Sequence, residues 1–234
     1  MELIDIIIIL VLISFSIIGF NRGVFQSVIS FLGFIVVIFA AYAFKNILGD
    51  ILVLNLPFVN FSGTLSGLTS LNVIMYQAIS FIIILAIFGI IYKLLITISG
   101  VFEKLLRFTV ILGIPSKLLG LLFGLLEGYV IIYLALFFLN QPFLKIIGVE
   151  NSKYVPMILN DTPIISSYAE KSLNAFNEIK NVINMEDNEE KNLKLAEIIL
   201  KDKVISKKTM QKLVDDNKLR IGGLQEVLDN YSDE

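Results

Sequence analysis

Four stretches of this chain are each long and apolar enough to cross a bilayer, and that leaves very few folds open. Crossing about 30 Å of hydrocarbon takes roughly 20 apolar residues in a helix. Residues 3–20, 24–44, 73–98 and 118–139 meet that requirement. The first is softened only by Asp5, Ser14, Ser16 and Gly19, the third is broken only by Lys93, and the fourth holds one carboxylate, Glu127. Their isoleucine content suits β-strands, but an open strand in lipid leaves backbone groups unpaired at several kcal/mol each. The expected fold class is therefore all-α: a four-helix transmembrane bundle over residues 1–140, followed by a polar helical tail over 141–234.

The composition agrees. Of 234 residues, 56% are hydrophobic and 17% charged, and the mean hydropathy of +0.82 is far from that of a soluble domain. Residues 1–140 carry only six basic and five acidic side chains, against 13 and 16 in the tail. Neither part has the basic excess of a nucleic-acid binder, so the lipid bilayer is the expected partner and nucleic acid is not. Cysteine and histidine are both absent, which removes disulfides, thiolate and imidazole metal sites, and Cys/His or Ser/His nucleophilic pairs. No cofactor, no metal and no enzymatic activity are expected. The acidic start, Met1 to Asp5, resembles neither a signal peptide nor a transit peptide, and the first apolar run reads as a retained span.

Between the first two spans stand only Asn21-Arg22-Gly23, which requires a tight antiparallel hairpin. Residues 46–72 join an apolar piece, 51–59, to a Ser/Gly/Thr-rich piece, 61–70, and read as a loop or a shallow re-entrant segment. Residues 99–112 group Glu103, Lys104 and Arg107 on one face and read as an interfacial helix or a polar extension of the third span. In the tail, Thr162-Pro163 has the form of a helix start, and Ile165, Tyr168, Ala169, Leu173, Phe176, Ile179 and Ile183 recur at helical spacing. Asn188-Glu189-Glu190 opens a helix through about Lys201, Ser206 caps another, and Gly222-Gly223 precede a last one ending near Tyr231.

Two features stand out as candidate sites. Gly120, Gly124 and Gly128 form one stripe on the fourth span where another helix backbone can approach closely, and Gly19 and Gly23 repeat the spacing across the hairpin. Glu127 lies ten residues past Lys117, about 15 Å deeper along a helix. A carboxylate there is either a functional group or a structural one, protonated or bonded to Tyr129, Tyr133 or serines. In the structural case Glu127→Gln should be tolerated. Arg22 at the hairpin tip reads as an interfacial anchor, and depth argues against its pairing with Glu127, since only its long stem can bridge the difference. Asp5 is expected near the opposite face, alone and at another depth from Glu127, which does not make the apposed pair of acids that an intramembrane aspartyl enzyme needs.

These residues carry a resemblance. Ile4-Asp5 opening the first span, Asn21-Arg22-Gly23-Val24-Phe25 with Ser27, and Leu119-Gly120 through Gly124-Leu125-Leu126-Glu127-Gly128 resemble the colicin V production protein (CvpA) family of bacterial inner-membrane proteins. The resemblance covers roughly residues 1–140. Where the family tends to have Asp-Arg this chain has Ser116-Lys117, and where it often has Arg before the last glycine this chain has Glu127. The resemblance implies a four-helix, multi-pass inner-membrane protein linked to colicin V (toxin) production or export and to envelope homeostasis. Such a protein would act by assembly with itself or with other inner-membrane proteins. The alternative is a small transporter or channel subunit using Glu127.

Orientation follows from the basic residues of the short loops. Arg22, Lys93, Lys104, Arg107 and Lys117 share one side, against Lys45, Lys145 and Lys153 on the other, so both termini are expected on the periplasmic or external side. Single cysteines at Ser62 and Ser232 should react with an impermeant thiol reagent in intact spheroplasts. Silence at both sites would reverse the topology.

Overall fold

The computed structural model of the protein describes residues 2–107, 113–139, 152–162, 174–175 and 177–231, without the side chains of Thr64, residues 103–107 and Gly113. The described elements are α1 (Leu3–Arg22), α2 (Val24–Asn55), a 3-10 turn (Gly63–Leu65), α3 (Leu71–Arg107), α4 (Gly113–Leu139) and α5 (Tyr154–Asp161). They continue with the described helical residues 174–175 and 177–183 (α6), then α7 (Asn188–Lys201), α8 (Lys207–Asp215) and α9 (Leu224–Asn230). No strand occurs among the described residues. The fold is all-helical, and the four long helices are each apolar and long enough to cross a membrane.

The helices overrun the spans drawn from hydropathy. α2 has 32 residues and α3 has 37, about 48 and 55 Å at 1.5 Å per residue, well beyond the hydrocarbon thickness. Lys45 marks where the apolar run ends, but a helix continues as long as its carbonyls find partners, so the apolar piece from Ile51 onward is largely the last turn of α2 and not a loop or a re-entrant segment. Likewise α3 runs on to Arg107, which selects the extension of the third span, while residues 108–112 lie outside the described part.

The chain packs as two units, Met1–Ile38 with Phe88–Lys171 and Phe39–Ile87 with Ser172–Glu234. The division expected at residue 140 followed polarity. Packing follows a different line, because the apolar faces of the tail helices are buried against residues 39–87.

In the first unit, α1 and α4 lie along one another, and Ile8, Ile132, Tyr133 and Leu136 form a core that Val155 and Ile158 of α5 complete. Helix α5 has no strong sequence signature, since Pro156 falls inside it. It stands in the first turn, where its missing N–H is not needed. Ser152 Oγ accepts from the N–H groups of Tyr154 (3.2 Å) and Val155 (3.1 Å) and so starts the helix. Thr162 stands at the C-terminal end of α5, its hydroxyl turned back to the Ile158 carbonyl, and the stretch in which the helix expected from Thr162-Pro163 would begin lies outside the described residues. Ile165, Tyr168, Ala169, Leu173 and Phe176 of the expected helix lie outside the described residues, whereas Ile179 and Ile183 pack beside Leu68, Leu195 and Ile198 in the second unit.

In the second unit, Val53, Val73 and Tyr76 share a core with Ala196, Ile199, Leu200, Ile205, Met210, Leu213, Leu219, Leu224 and Leu228. The caps fall where the sequence places them or next to it. Asp187 accepts from the N–H groups of Glu189 and Glu190, Ser206 caps α8, and Gly223 takes a left-handed conformation before α9. Asn192 of α7 holds the Ser/Gly-rich loop, donating to the Gly67 carbonyl (2.8 Å) and accepting from the Ser70 N–H (3.1 Å).

Lys218 closes the end of α2. Its ammonium donates to the carbonyls of Val53 (3.2 Å), Leu54 and Leu56 (3.0 Å) and lies over the Phe58 ring. These are carbonyls at or just beyond a helix C-terminus, where partners within the helix run out and a positive charge is favoured. Lys218→Met keeps the stem but leaves them unsatisfied, at a cost of about 1–3 kcal/mol. Chymotrypsin should then cleave the segment after residue 188 faster than in the parent protein, and equal rates would show that the ammonium contributes nothing.

Candidate functional site

The site is built on a one-residue break. Gly23 separates α1 from α2 with φ +84°, a conformation costly for any residue with a Cβ. Its N–H reaches the Gly19 carbonyl at 2.9 Å, and Ser27 Oγ donates to the same oxygen at 3.2 Å. The first N–H of α2, on Val24, is satisfied by Ser116 Oγ of α4 at 3.0 Å, so the hairpin tip is fastened to the fourth span.

The glycines lie where α1 and α4 come closest. A Cβ on Gly19 would stand 2.8 Å from the Gly124 Cα, one on Gly124 would stand 2.9 Å from the Gly19 Cα, and one on Gly120 would meet the Gly23 backbone at 2.7 Å. A Cβ on Gly128 would meet the Phe15 side chain at 2.7 Å. The stripe is thus occupied within the chain, by α1. It is not a free face awaiting another copy, and any oligomer has to use a different surface.

Once α1 lies that close, Arg22 at its end can turn inward. The Arg22 guanidinium is 3.6 Å from Glu127 Oε2 and donates to Ser30 Oγ at 2.9 Å. Ser30 donates in turn to Glu127 Oε1 at 2.9 Å. The Tyr92 hydroxyl of α3 lies 3.0 Å from Ser30 Oγ, 3.1 Å from the Ser30 carbonyl and 3.4 Å from Glu127 Oε1. Ser30 is fully buried and Glu127 is 5% exposed. One network therefore draws on α1, α2, α3 and α4.

Three expectations change here. Arg22 and Glu127 do pair. The long arginine stem reaches from the hairpin tip towards Glu127, and Ser30 bridges the two by accepting from Arg22 and donating to Glu127. The tyrosine that meets Glu127 is Tyr92. Tyr129 bonds Thr162 at 2.7 Å and Tyr133 reaches the Leu159 carbonyl. Nothing in the local spacing distinguishes Tyr92 or Ser30. The available signal was that they are polar groups inside otherwise apolar spans, where each needs a partner.

Asp5 is not alone either. It accepts from the Glu2 N–H at 3.1 Å, within a capping box at the start of α1, and from Ser152 Oγ, which ties α5 to that end. It belongs to a helix-end network with partners separate from those of Glu127. Among the described residues no three acidic side chains gather where a metal could be held.

Four helices long and apolar enough to cross a membrane, joined by one network of polar side chains, point to a helical membrane protein. Residues 4–163, more than half of the chain, match the colicin V production protein family, and the chain belongs to that family. Comparison with curated proteins and with solved structures gives no match.

Because Arg22 loses its partner, Glu127→Gln should not be the neutral change expected for a simple hydrogen-bonding group. Arg22→Gln should cost about 1–3 kcal/mol by leaving the buried Glu127 carboxylate without its cation, and Glu127→Gln less, because Arg22 is partly exposed and keeps Ser30. The double variant should recover part of that loss, read as a thermal midpoint in mild detergent. Strict additivity of the two singles would mean that the groups do not interact.

Proposed function

We propose that this chain is a non-enzymatic component of the bacterial inner membrane that serves colicin V production or export and envelope homeostasis by assembling with other membrane proteins or further copies of itself. Both termini face the periplasm in this reading, in keeping with the basic loops on the other side. Family membership supports the general assignment. The carrying observation is that Glu127 is committed: Arg22, Ser30 and Tyr92 surround its carboxylate and bind it to three other helices. A group used in this way holds a scaffold together. The rival reading, a transporter or channel subunit, needs that carboxylate to exchange its partner for a proton or cation during each cycle.

Complementation of a deletion strain separates the two. The Arg22→Gln/Glu127→Gln double variant has no titratable group in the network but keeps amide polarity at both positions. Under the assembly reading it should restore at least half of parental colicin export and copurify with the same partners. A double variant that inserts normally, keeps its partners and yet complements nothing would transfer the function to the Glu127 carboxylate itself.

A further inference from the structure

We propose that the crease between α1 and α4 holds one acyl chain of an anionic phospholipid, with the lipid phosphate on Lys117. The crease has a volume of about 340 Å³ and is walled by Leu12, Ile17 and Phe20 of α1 and by Leu121 and Leu125 of α4. Its cause is the glycine seam beside it: backbones that touch at Gly19, Gly120 and Gly124 force the large side chains of the next row apart. The one polar group in its wall, Ser16, spends its hydroxyl on the Leu12 carbonyl at 2.8 Å, so the lining presents no unmet polar demand.

One end of the crease is marked by charge. The Lys117 ammonium lies 5.5 Å from the centre of the Phe20 ring, near the start of α4 and the end of α1. Among the described residues it meets no carboxylate. From Phe20 to Leu12 the wall descends about 12 Å along α1, away from that cation and into the apolar part of the helix. A cation at the rim and a dry channel leading inward match a phospholipid in polarity as well as in shape. In the topology of the proposed function, on which this assignment rests, the rim faces the cytoplasm, where anionic lipids draw basic residues and where basic clefts between spans take acidic headgroups. The assignment is independent of the role given to Glu127.

The test is native mass spectrometry of the full-length protein in mild detergent, after delipidation and addition of phosphatidylglycerol or phosphatidylcholine. The parent should retain one phosphatidylglycerol in preference to phosphatidylcholine. Lys117→Gln should lower phosphatidylglycerol occupancy about fivefold, the weight of one near-surface charge, and leave phosphatidylcholine unchanged. Ile17→Trp, which fills the crease, should remove the tightly held lipid of either kind while the protein stays monodisperse. Lys93→Gln, which alters an exposed cation on α3, should have no effect. An equal loss from Lys93→Gln, a parent without preference, or displacement of the lipid by millimolar inorganic phosphate would each overturn the proposal.

Discussion

A carboxylate in the middle of an apolar helix has to be neutralised or paired, and the arrangement of the four spans of this protein answers to that requirement. Glu127 is the one carboxylate of α4, and from Leu118 to Leu139 it is the one charged residue. Water is not available there to solvate it, and burying a lone charge costs several kcal/mol even after relaxation. The chain meets the demand with an arginine at a hairpin tip, a serine on α2 and a tyrosine on α3. Three helices converge on one acid. Hydrophobic burial does little to bring helices together in lipid, because tails are as apolar as leucine, so such a polar point supplies the specificity that a soluble core gets from excluding water.

The glycine seam is the precondition for that pairing. Arg22 reaches inward only because α1 approaches α4 at backbone contact, and this in turn requires that Gly19, Gly120 and Gly124 have no side chains. Gly23 sets the reversal that leaves Arg22 at the end of α1 and fastens Val24 to Ser116. The glycine seam and the ion pair are thus two aspects of one contact. A neutral residue at position 22 would lack the charge, and a lysine the planar guanidinium, with which Arg22 Nη1 meets both Ser30 and Glu127.

The spans themselves were legible because the bilayer imposes a length and an apolarity that local composition reports directly. So were the caps at Ser206 and Gly223 and the helix from Asn188 to Lys201, since these depend on a few neighbouring residues. The stripe of glycines was visible, but not that α1 would occupy it. Tyr92, Ser30 and the inward turn of Arg22 were hidden because they are set by which helices become neighbours, through contacts such as Ser30 to Tyr92 and Ser30 to Glu127 that lie 62 and 97 residues apart in sequence. The bounds of the two packed units were not legible for a similar reason: polarity changes at residue 140, but burial depends on what the tail helices cover.

What they cover explains why α2 and α3 are so long. A helix that only had to cross the hydrocarbon would end near residue 44, yet α2 continues through Asn46, Gly49 and Asp50 to Asn55. One face of those added turns is covered. Asp50 accepts from Thr209 at 2.8 Å and from Gln77 at 3.3 Å, Ser80 donates to the Lys45 carbonyl, and Lys218 takes up the terminal carbonyls. Helices as short as α8 and α9, with nine and seven residues, are marginal on their own in water. They persist here because residues 39–87 present Val53, Val73 and Tyr76 as a surface on which Leu213, Leu224 and Leu228 are buried. The extra length of α2 and α3 is therefore a folding template for the tail: an overlong pair of spans converts a polar, weakly helical segment into a packed unit attached to the membrane protein by its own helices.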